Sequence, residues 1–358
     1  MRDDSNSMCE RLKLFFSRLE SMSFKRMWMY VCEIHKNANK PRLFIVVDML
    51  WCVIRYGIGY LEYHVFGFAY IHGKKRKTFM TMQDSLELVR KSNNKKYDYI
   101  FNDKIEFNKC FHDSIGRLWL DLRRASFTDF EDFVKNKEYI FVKEADGFGG
   151  VGADCVKVSS FKSVQELYDT LVSHKQFVVE ECIRQHSKMN TLYASSVNTI
   201  RIVTLVSGGL PHVVYSLIRI GNGSKHVDNI SSGGLYCPVN KSGIIYKPGF
   251  CDKTGLYYEN HPVTNTRLVG FEIPYFAEAI ELVKKAALKV PEIRYVGWDV
   301  AICEAGPILI EGNTIPGYDM CQNYYHLDGD KIGIWPKFEK ILKDEKSDPN
   351  GVDKFDGI

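Results

Sequence analysis

The sequence predicts an α+β fold that follows a mainly helical N-terminal region. Helical periodicity over residues 8–37, a strand-strand-helix-strand unit over 138–183, and further strands around a clear helix at 276–290 carry this prediction. The chain has 358 residues, of which 45% are hydrophobic and 26% charged, as in folded globular proteins. Its net charge of +4 is too small to indicate a nucleic-acid-binding protein.

The N-terminal region combines positive charge with apolar character. Residues 1–100 hold 18 Lys/Arg and 10 Asp/Glu, a balance of +8 that leaves −4 for the remainder. The most apolar run, residues 43–54, is interrupted only by Asp48. On a helix Asp48, Arg55 and Glu62 would share one face, because they are seven residues apart. The run is therefore a buried or amphipathic segment or a membrane-surface contact, and its charges disfavour a membrane span.

Two further features bear on this region. Gly57 and Gly59 are expected to divide it into two helices. The basic run KKRK at 74–77 is either a solvated loop or a contact with anionic lipid beside an apolar helix. The polar, acidic N-terminus lacks the layout of a secretory signal, and ten cysteines without a CxxC pair predict a reduced cytoplasmic protein without structural zinc.

The strands after this region are short and apolar. YIFVK (139–143) and DCVKV (154–158) surround a glycine-rich link and are expected to pair as a hairpin. An amphipathic helix follows at 161–174 and a strand at 176–181. The remaining predicted strands are 199–206, 212–219, VGWDVAIC and PILIEGN.

Lys143 marks the first chemical signal, because it ends a strand and precedes four glycines. Glycines let backbone N–H groups converge on phosphate oxygens, and the lysine adds a positive charge. The spacing matches neither a P-loop nor a dinucleotide-binding fingerprint. Taken alone, the segment could equally be a tight turn. The glycines are Gly147, Gly149, Gly150 and Gly152.

A second signal lies in the last two strands, which carry Asp299, Glu311 and Asn313. Glu311 and Asn313 point to the same side, since alternate residues of a strand share a face. Two carboxylates and an amide oxygen make a hard-oxygen site suited to Mg²⁺. Each residue alone would be an ordinary surface or capping group, but together they predict metal binding.

Arg201, at the start of the strand in NTIRIV, is a third signal. An arginine that leads an apolar strand is either a solvated edge charge or a partner for a carboxylate or a developing oxyanion. The sequence leaves both interpretations open.

In this order, Lys143 with its glycine loop, VVEECI, NTIRIV and GWDVAICEAGPILIEGNTIPG resemble the ATP-grasp fold over roughly residues 100–320. EGNTIPG is similar to the E-x-N-x-x-P-G signature of that fold. SSVNTIRIVTL and the helical N-terminal region resemble most the sugar-transfer-associated ATP-grasp group, whose members are encoded with cell-surface polysaccharide machinery. The resemblance implies two α+β subdomains that clamp ATP.

The resemblance also implies roles for particular residues. Asp299, Glu311 and Asn313 would bind one or two Mg²⁺ ions, with Mn²⁺ as a possible substitute. Loop 147–152 would close over the phosphates, and the region around 180–186 would hold adenine and ribose. The implied nucleotide-binding residues are Lys104, Lys143, Gly147, Phe148, Gly149, Gly150, Val151, Gly152, Glu180, Glu181, Cys182, Ile183, Gln185 and His186. The implied catalytic or substrate-facing residues are Arg201, Lys143, Arg219 and His261, with Asn229 and Ser231–Gly234 on the acceptor side.

Five segments are expected under this resemblance: a helical region that contacts a membrane or a partner, a lead-in segment, a lid subdomain, a catalytic and metal-binding subdomain, and a flexible tail. Their bounds are 1–97, 98–137, 138–190, 191–343 and 344–358. The implied activity is an ATP-dependent carboxylate–amine ligase that acts through an acyl-phosphate, on a sugar acid or related precursor of cell-surface polysaccharide. The alternatives are an ATP-grasp phosphotransferase and a nucleotide-binding scaffold for a glycosyltransferase complex. The expected partners are small carboxylate and amine substrates in the cytoplasm, and association with the inner face of the cell membrane or with a glycosyltransferase is left open.

Overall fold

The computed structural model describes residues 23–147, 152–223 and 233–346, without the side chains of 344–346. The chain forms two compact units, Arg90–Pro316 and a unit that joins Met1–Val89 to Gly317–Ile358. The first division therefore lies before the expected boundary at 97, and the chain from Gly317 joins the N-terminal helices rather than segment 191–343. Within that unit Gln322 bonds the backbone of Met80, and the backbone N–H of Tyr324 bonds the carbonyl of Val65.

Helices and strands together make an α+β chain, as predicted. The helices of the described ranges are α1 Phe24–Ala38, α2 Arg42–Tyr56, α3 Tyr60–Val65, α4 Met82–Ser92, α5 Tyr99–Asn102, α6 Lys104–Cys110, α7 Phe127–Val134, α8 Val164–Ser173, α9 Ser187–Asn190, α10 Phe276–Ala287 and α11 Trp335–Lys346. The strands are β1 Trp119–Asp121, β2 Tyr139–Lys143, β3 Asp154–Lys157, β4 Val178–Glu181, β5 Thr199–Ser207, β6 Leu210–Ile220, β7 Leu235–Pro238, β8 Gly249–Cys251, β9 Leu256–Tyr258, β10 Tyr295–Cys303 and β11 Gly306–Asn313.

The apolar N-terminal run divides into two helices at its glycines, as predicted. Gly57 ends α2 with φ +65°, a left-handed conformation that glycine adopts without a steric penalty. The basic run lies in a 3₁₀ helix at Gly73–Thr78 rather than in a loop, with its three lysines exposed and Arg76 buried, and the expected lipid contact stays a prediction. Arg76 donates to both carboxylate oxygens of Asp48, at 2.8 and 2.5 Å. A buried arginine needs such a partner.

The four-stranded sheet of the larger unit has the order β1-β4-β2-β3. The predicted hairpin is confirmed, since β2 pairs antiparallel with β3 and also with β4. Helices α7 and α8 pack on this sheet through Phe130, Leu167 and Leu171. Helix α7 and strand β1 were not predicted. The pairing places Lys143 opposite Val178 and Phe141 opposite Glu180.

The seven-stranded sheet has the order β11-β10-β5-β6-β7-β8-β9. Strands β5 and β10 are buried almost throughout, and α10 covers them with Phe276, Ala279 and Val283. Helix α10 stops at Ala287, three residues before the predicted end. Neighbouring strands place Asp299 beside Arg201 on one side and beside Glu311 on the other. The sheet therefore brings together two of the three chemical signals, Arg201 and the carboxylates of the last two strands.

Candidate functional site

Lys143 lies at the end of β2 and is almost fully buried. Its Nζ donates to Glu180 Oε2 at 2.7 Å. Burial lowers the pKa of Lys143, and the carboxylate of Glu180 opposes that shift. Burial would raise the pKa of Glu180, but the charges of Arg117 and Lys143 hold it well below its usual range. Glu180 therefore favours the protonated form of Lys143, against the effect of burial.

Glu180 has two further partners. Arg117 donates to both of its oxygens, at 2.9 Å from Nε and 3.0 Å from a terminal nitrogen, and Asn108 Nδ2 donates at 2.9 Å. Arg117 also donates to the carbonyl of Leu309 in β11 at 2.8 Å. One guanidinium thus connects the small sheet to the strand that carries Glu311. The carboxylate of Glu180 faces this buried cluster, and the expected place of residues 180–183 beside adenine stays a prediction.

Lys104 begins α6 behind Asp103, which caps the helix by accepting from Ile105 and Glu106. Its backbone N–H bonds the carbonyl of Ala145 at 2.8 Å, and its Nζ bonds the carbonyl of Gly147. Burial lowers the pKa of Lys104, and the charge of Glu311 opposes that shift. The helix end is therefore tied to the start of the glycine loop.

Asp299 and Glu311 are register partners on β10 and β11, beside a bulge in that pairing. Arg201 donates to both oxygens of Asp299, at 2.5 and 3.0 Å, and Arg219 approaches Oδ2 at 2.9 Å. Burial would raise the pKa of Asp299, but the two arginines lower it to about 2. Burial and then the nearby Asp299 raise the pKa of Glu311, and a hydrogen bond joins the two carboxyl groups.

This pair suits a divalent cation. Two neighbouring buried carboxyl groups repel each other when both are ionised, so positive charge near them, from the two arginines or from a bound cation, is favourable. Asn313 Nδ2 lies 3.5 Å from Glu311 Oε1, so the amide belongs to the same cluster. Among the described residues no group of three or more His, Cys, Asp or Glu could hold a metal ion. The donor set is thus two carboxylates and an amide, which fits Mg²⁺ when water and phosphate oxygens complete its shell.

The lysines and the carboxylates converge. Glu311, on the large sheet, shifts the pKa of both Lys143 and Lys104, which flank the small sheet and its glycine loop. It also acts on Arg201. Coulombic interaction weakens with distance, so charges that shift each other's pKa lie in the same region of the protein. The sequence signals at 143, 201, 299 and 311 therefore lie in one region of mixed charge, in which Asp299 and Glu311 are neighbours.

Gln185 and His186 occupy the position suggested for ribose binding. The amide of Gln185 donates to the carbonyls of Tyr193 and Ser196 and accepts from the backbone and side chain of Asn198. His186 Nδ1 accepts from Lys188 N and caps α9. Both side chains hold the local backbone, and the saturated amide of Gln185 does not support a ribose contact.

His261 is buried, with both ring nitrogens engaged. Nδ1 accepts from the backbone N–H groups of Val263 and Thr264, so the proton resides on Nε2, which donates to the carbonyl of Gly221 at 2.8 Å. Burial lowers the pKa of His261. The ring is therefore neutral, and its hydrogen bonds hold the backbone of its own loop and of Gly221. These contacts do not support the predicted substrate role of His261. Arg219 does lie in the cluster, where it bonds Asp299 and Thr199.

Several residues that were predicted to bind the nucleotide make other contacts in the structure. Glu181 follows Glu180 but faces outward, towards Lys137 at 3.5 Å. Cys182 Sγ lies 3.4 Å from Cys155 Sγ, and Gly152 accepts from Gln176 at 3.0 Å. The predicted positions outside the described residues are Phe148, Gly149, Gly150, Val151, Asn229, Ser231 and Ser232.

Sequence reasoning missed Arg117, Asn108 and Gly297. A Cβ on Gly297 would lie 3.3 Å from Arg201 Cδ, so the glycine leaves room for that side chain. The available signal for Arg117 was a charged residue, Glu180, inside an otherwise apolar strand, since such a residue needs a buried partner. Nothing in the sequence indicates which arginine that partner is.

The chain is similar to one protein family and to several solved structures. The model of the sugar-transfer associated ATP-grasp family matches residues 83–326. Similar solved structures include D-alanyl-alanine synthetase A from Vibrio cholerae O1 biovar eltor, with 15% identity over 68% of this chain and 61% of that one and a TM-score of 0.36. D-alanine–D-alanine ligase from Bacillus anthracis has 17% identity over 77% and 78%, with a TM-score of 0.39. L-amino acid ligase from Bacillus licheniformis has 11% identity over 69% and 50%, with a TM-score of 0.42.

The match covers less than two thirds of the Vibrio protein. The search of curated proteins gave no match. Because the family model covers more than half of the sequence, the chain belongs to the sugar-transfer associated ATP-grasp family and has the ATP-grasp fold.

Proposed function

We propose that this protein is an ATP-dependent carboxylate–amine ligase. The observation that carries the proposal is that Lys104 and Lys143 lie near enough to Glu311, the strand partner of Asp299, for its charge to act on their pKa values. Cations suit the phosphates of a nucleotide, and the carboxylates suit the metal that accompanies them. The family model supports the same assignment of ATP as substrate.

The nucleotide would bind along the end of the small sheet. Lys143 and Lys104 would neutralise phosphate oxygens, with Glu180 keeping the first of them charged. The backbone of Glu181 and Ile183 would contact adenine, because the Glu180 side chain is committed to Arg117 and Lys143. The loop between Gly147 and Gly152 would exclude water from the phosphates.

Asp299, Glu311 and Asn313 would hold Mg²⁺, either one ion or two. When bound, Mg²⁺ neutralises charge on the phosphate oxygens during phosphoryl transfer. Arg201 and Arg219 orient Asp299 and compensate its charge. They also supply positive charge beside the place where the oxyanion of an acyl intermediate would form.

In the reaction proposed, an oxygen of the substrate carboxylate forms a bond to the γ-phosphorus as the bond to the β,γ-bridging oxygen breaks and ADP leaves. An amine then attacks the acyl carbon of the resulting acyl-phosphate, loses a proton and expels inorganic phosphate. Water would hydrolyse that intermediate, so a closed site is required. No described residue is assigned as the general base, since both His261 nitrogens are bonded to the backbone.

Replacing Glu311 by Gln tests the proposal. The amide keeps the shape but removes the charge that a metal requires, so ATP turnover should be lost while far-UV circular dichroism and thermal stability are retained. The matched control is Glu281→Gln on the exposed face of α10, where Glu281 pairs only with Lys284 on the surface. Full activity of Glu311→Gln would refute the metal assignment.

The products separate the ligase from its alternatives. A ligase releases ADP and inorganic phosphate only when both an acid and an amine are present. A phosphotransferase on the same scaffold releases ADP and a phosphorylated substrate without inorganic phosphate. A nucleotide-binding scaffold for a glycosyltransferase complex would bind ATP without turnover, although a scaffold has no need of the metal donors Asp299 and Glu311.

We further propose that the acid is a sugar acid or related precursor of cell-surface polysaccharide, joined to an amine in the cytoplasm. The name of the family, which is associated with sugar transfer, supports this choice. A screen of uronic acids against amino acids and amino sugars, scored by phosphate release, tests it. Release with amino acid pairs alone would indicate a different carboxylate.

A further inference from the structure

Helix α2 is apolar on both faces. One face packs inward through Ile45, Met49 and Cys52. At 100° per residue, the exposed apolar side chains fall within an arc of about 120° on the opposite face. Their exposed fractions are Leu43 75%, Phe44 55%, Val47 57%, Leu50 38%, Trp51 54% and Ile54 43%. We refer to these six residues as the apolar face.

Helix α1 packs against α2 and adds exposed apolar side chains at its own start. Phe24 is 63% exposed, Trp28 51% and Met29 47%. A group of exposed apolar side chains of this size marks an interaction site, because monomeric soluble proteins rarely expose so many large apolar side chains next to each other. No helix in the described part of the chain is long and apolar enough to cross a membrane.

The stretch of chain that contains the apolar face carries more positive than negative charge. Between residues 24 and 56 the chain has two acids, Glu33 and Asp48. Asp48 turns inward to Arg76, with its side chain only 14% exposed, and burial raises the pKa of Glu33. The cations of the same stretch are Lys25, Arg26, Lys36, Lys40, Arg42 and Arg55.

We propose that the apolar face docks on the surface of an anionic phospholipid bilayer. Exposed Trp and Phe side chains beside Lys and Arg have the composition of segments that lie in the interfacial region of a membrane. Anionic headgroups would pair with the surrounding cations. A second copy of the chain fits less well, because a two-fold contact would place the same cations against each other.

Docking needs only the unit that contains α1 and α2, so the inference does not depend on the proposed reaction. Docking would place the proposed reaction at the membrane surface. An enzyme held at a bilayer meets substrates that are themselves attached to lipid or handled by membrane enzymes. The site residues at Lys143, Asp299 and Glu311 all belong to the other unit.

Sedimentation of the full-length protein with lipid vesicles tests docking without ATP. One set of vesicles contains phosphatidylcholine alone, and the other adds phosphatidylglycerol. We expect binding to the anionic vesicles, weakened at about 1 M salt, where charges are screened beyond about 3 Å. The double variant Leu43→Ser/Trp51→Ser should bind about tenfold more weakly or worse, because it removes buried apolar surface from the lipid contact.

The matched control is Leu210→Ser/Leu256→Ser, which changes residues that are 64% and 55% exposed in the other unit. This control should bind vesicles like the unmodified protein. If Leu43→Ser/Trp51→Ser does not fold by circular dichroism, Phe44→Ser/Val47→Ser replaces it.

Equal vesicle binding by the unmodified protein and the variant would overturn the proposal, and so would the absence of binding to anionic vesicles. A dimer that the variant abolishes, in place of vesicle binding, would assign the face to a second copy and would also overturn it. ATP turnover measured without vesicles should be the same in both variants. Its failure in the unmodified protein would count against the proposed reaction and not against docking.

Discussion

Replacing Glu180 by Gln should weaken both the fold and nucleotide binding. The carboxylate is 1% exposed and bonds Lys143, Arg117 and Asn108 at 2.7 to 3.0 Å. Glutamine keeps the shape of the side chain, but it carries no charge, and its NH₂ group would face the hydrogen-bond donors that now bond the carboxylate. Two buried cations, Arg117 and Lys143, then lose the carboxylate with which they form ion pairs.

Breaking a buried ion pair by removing one partner costs about 3–5 kcal/mol, because the remaining charge stays desolvated. Unfolding in urea measures this loss. Lys157 and Glu138 form an exposed pair on the same sheet at 3.5 Å, so Glu138→Gln is the matched control. An exposed pair contributes only about 0–1 kcal/mol, and the control should be close to the unmodified protein.

The affinity for ATP gives a second measurement. If Glu180 only stabilised the fold, its replacement would not change how this affinity depends on pH. Burial already lowers the pKa of Lys143, and Glu180 opposes that shift. Without Glu180 the lysine should lose its proton at a lower pH, so the affinity for ATP should fall as pH rises, earlier than in the unmodified protein. Calorimetric titration of ATP across neutral to alkaline pH measures it.

An unchanged stability together with an unchanged pH profile would refute this reasoning. A lower stability with an unchanged profile would leave Glu180 as a structural anchor only. A shifted profile in Glu138→Gln would show that the change does not depend on contact with Lys143.

Two further predictions concern the remaining buried polar groups. The folded pKa of Asp299, about 2, lies below its ordinary value of 3.8, which corresponds to about 2 kcal/mol. Because the folded value is depressed, this stability is present above about pH 4 and lost as pH falls towards 2. The difference in unfolding free energy between Asp299→Asn and the unmodified protein should therefore shrink over that range, and a constant difference would contradict it. Gln185→Ala should cost about 1–3 kcal/mol for each buried group left unbonded, with ATP affinity unchanged; weaker ATP binding at unchanged stability would instead restore the ribose role.

Much of the fold could be predicted from local sequence patterns. The two short strands YIFVK and DCVKV around a glycine-rich link predicted the hairpin, and Gly57 and Gly59 predicted the break between α2 and α3. These features depend on a residue and its near neighbours, so the sequence contains what is needed to predict them. The end of α10 and the unpredicted strand β1 show the limit, because short elements depend on pairing with distant strands.

The sequence by itself determined which residue types occur and in what order: a lysine before glycines, an arginine leading a strand, and two carboxylates on the last strands. Only the tertiary structure decided their partners. Arg117 meets Glu180, Arg76 meets Asp48, and the ring of His261 is used by its own loop. The physical reason is that a buried charge or hydrogen-bond donor needs a partner, and the fold of distant segments decides which residue that partner is. Alternation along a strand indicates which face of the sheet a side chain is on, but it does not indicate which side chain packs against it.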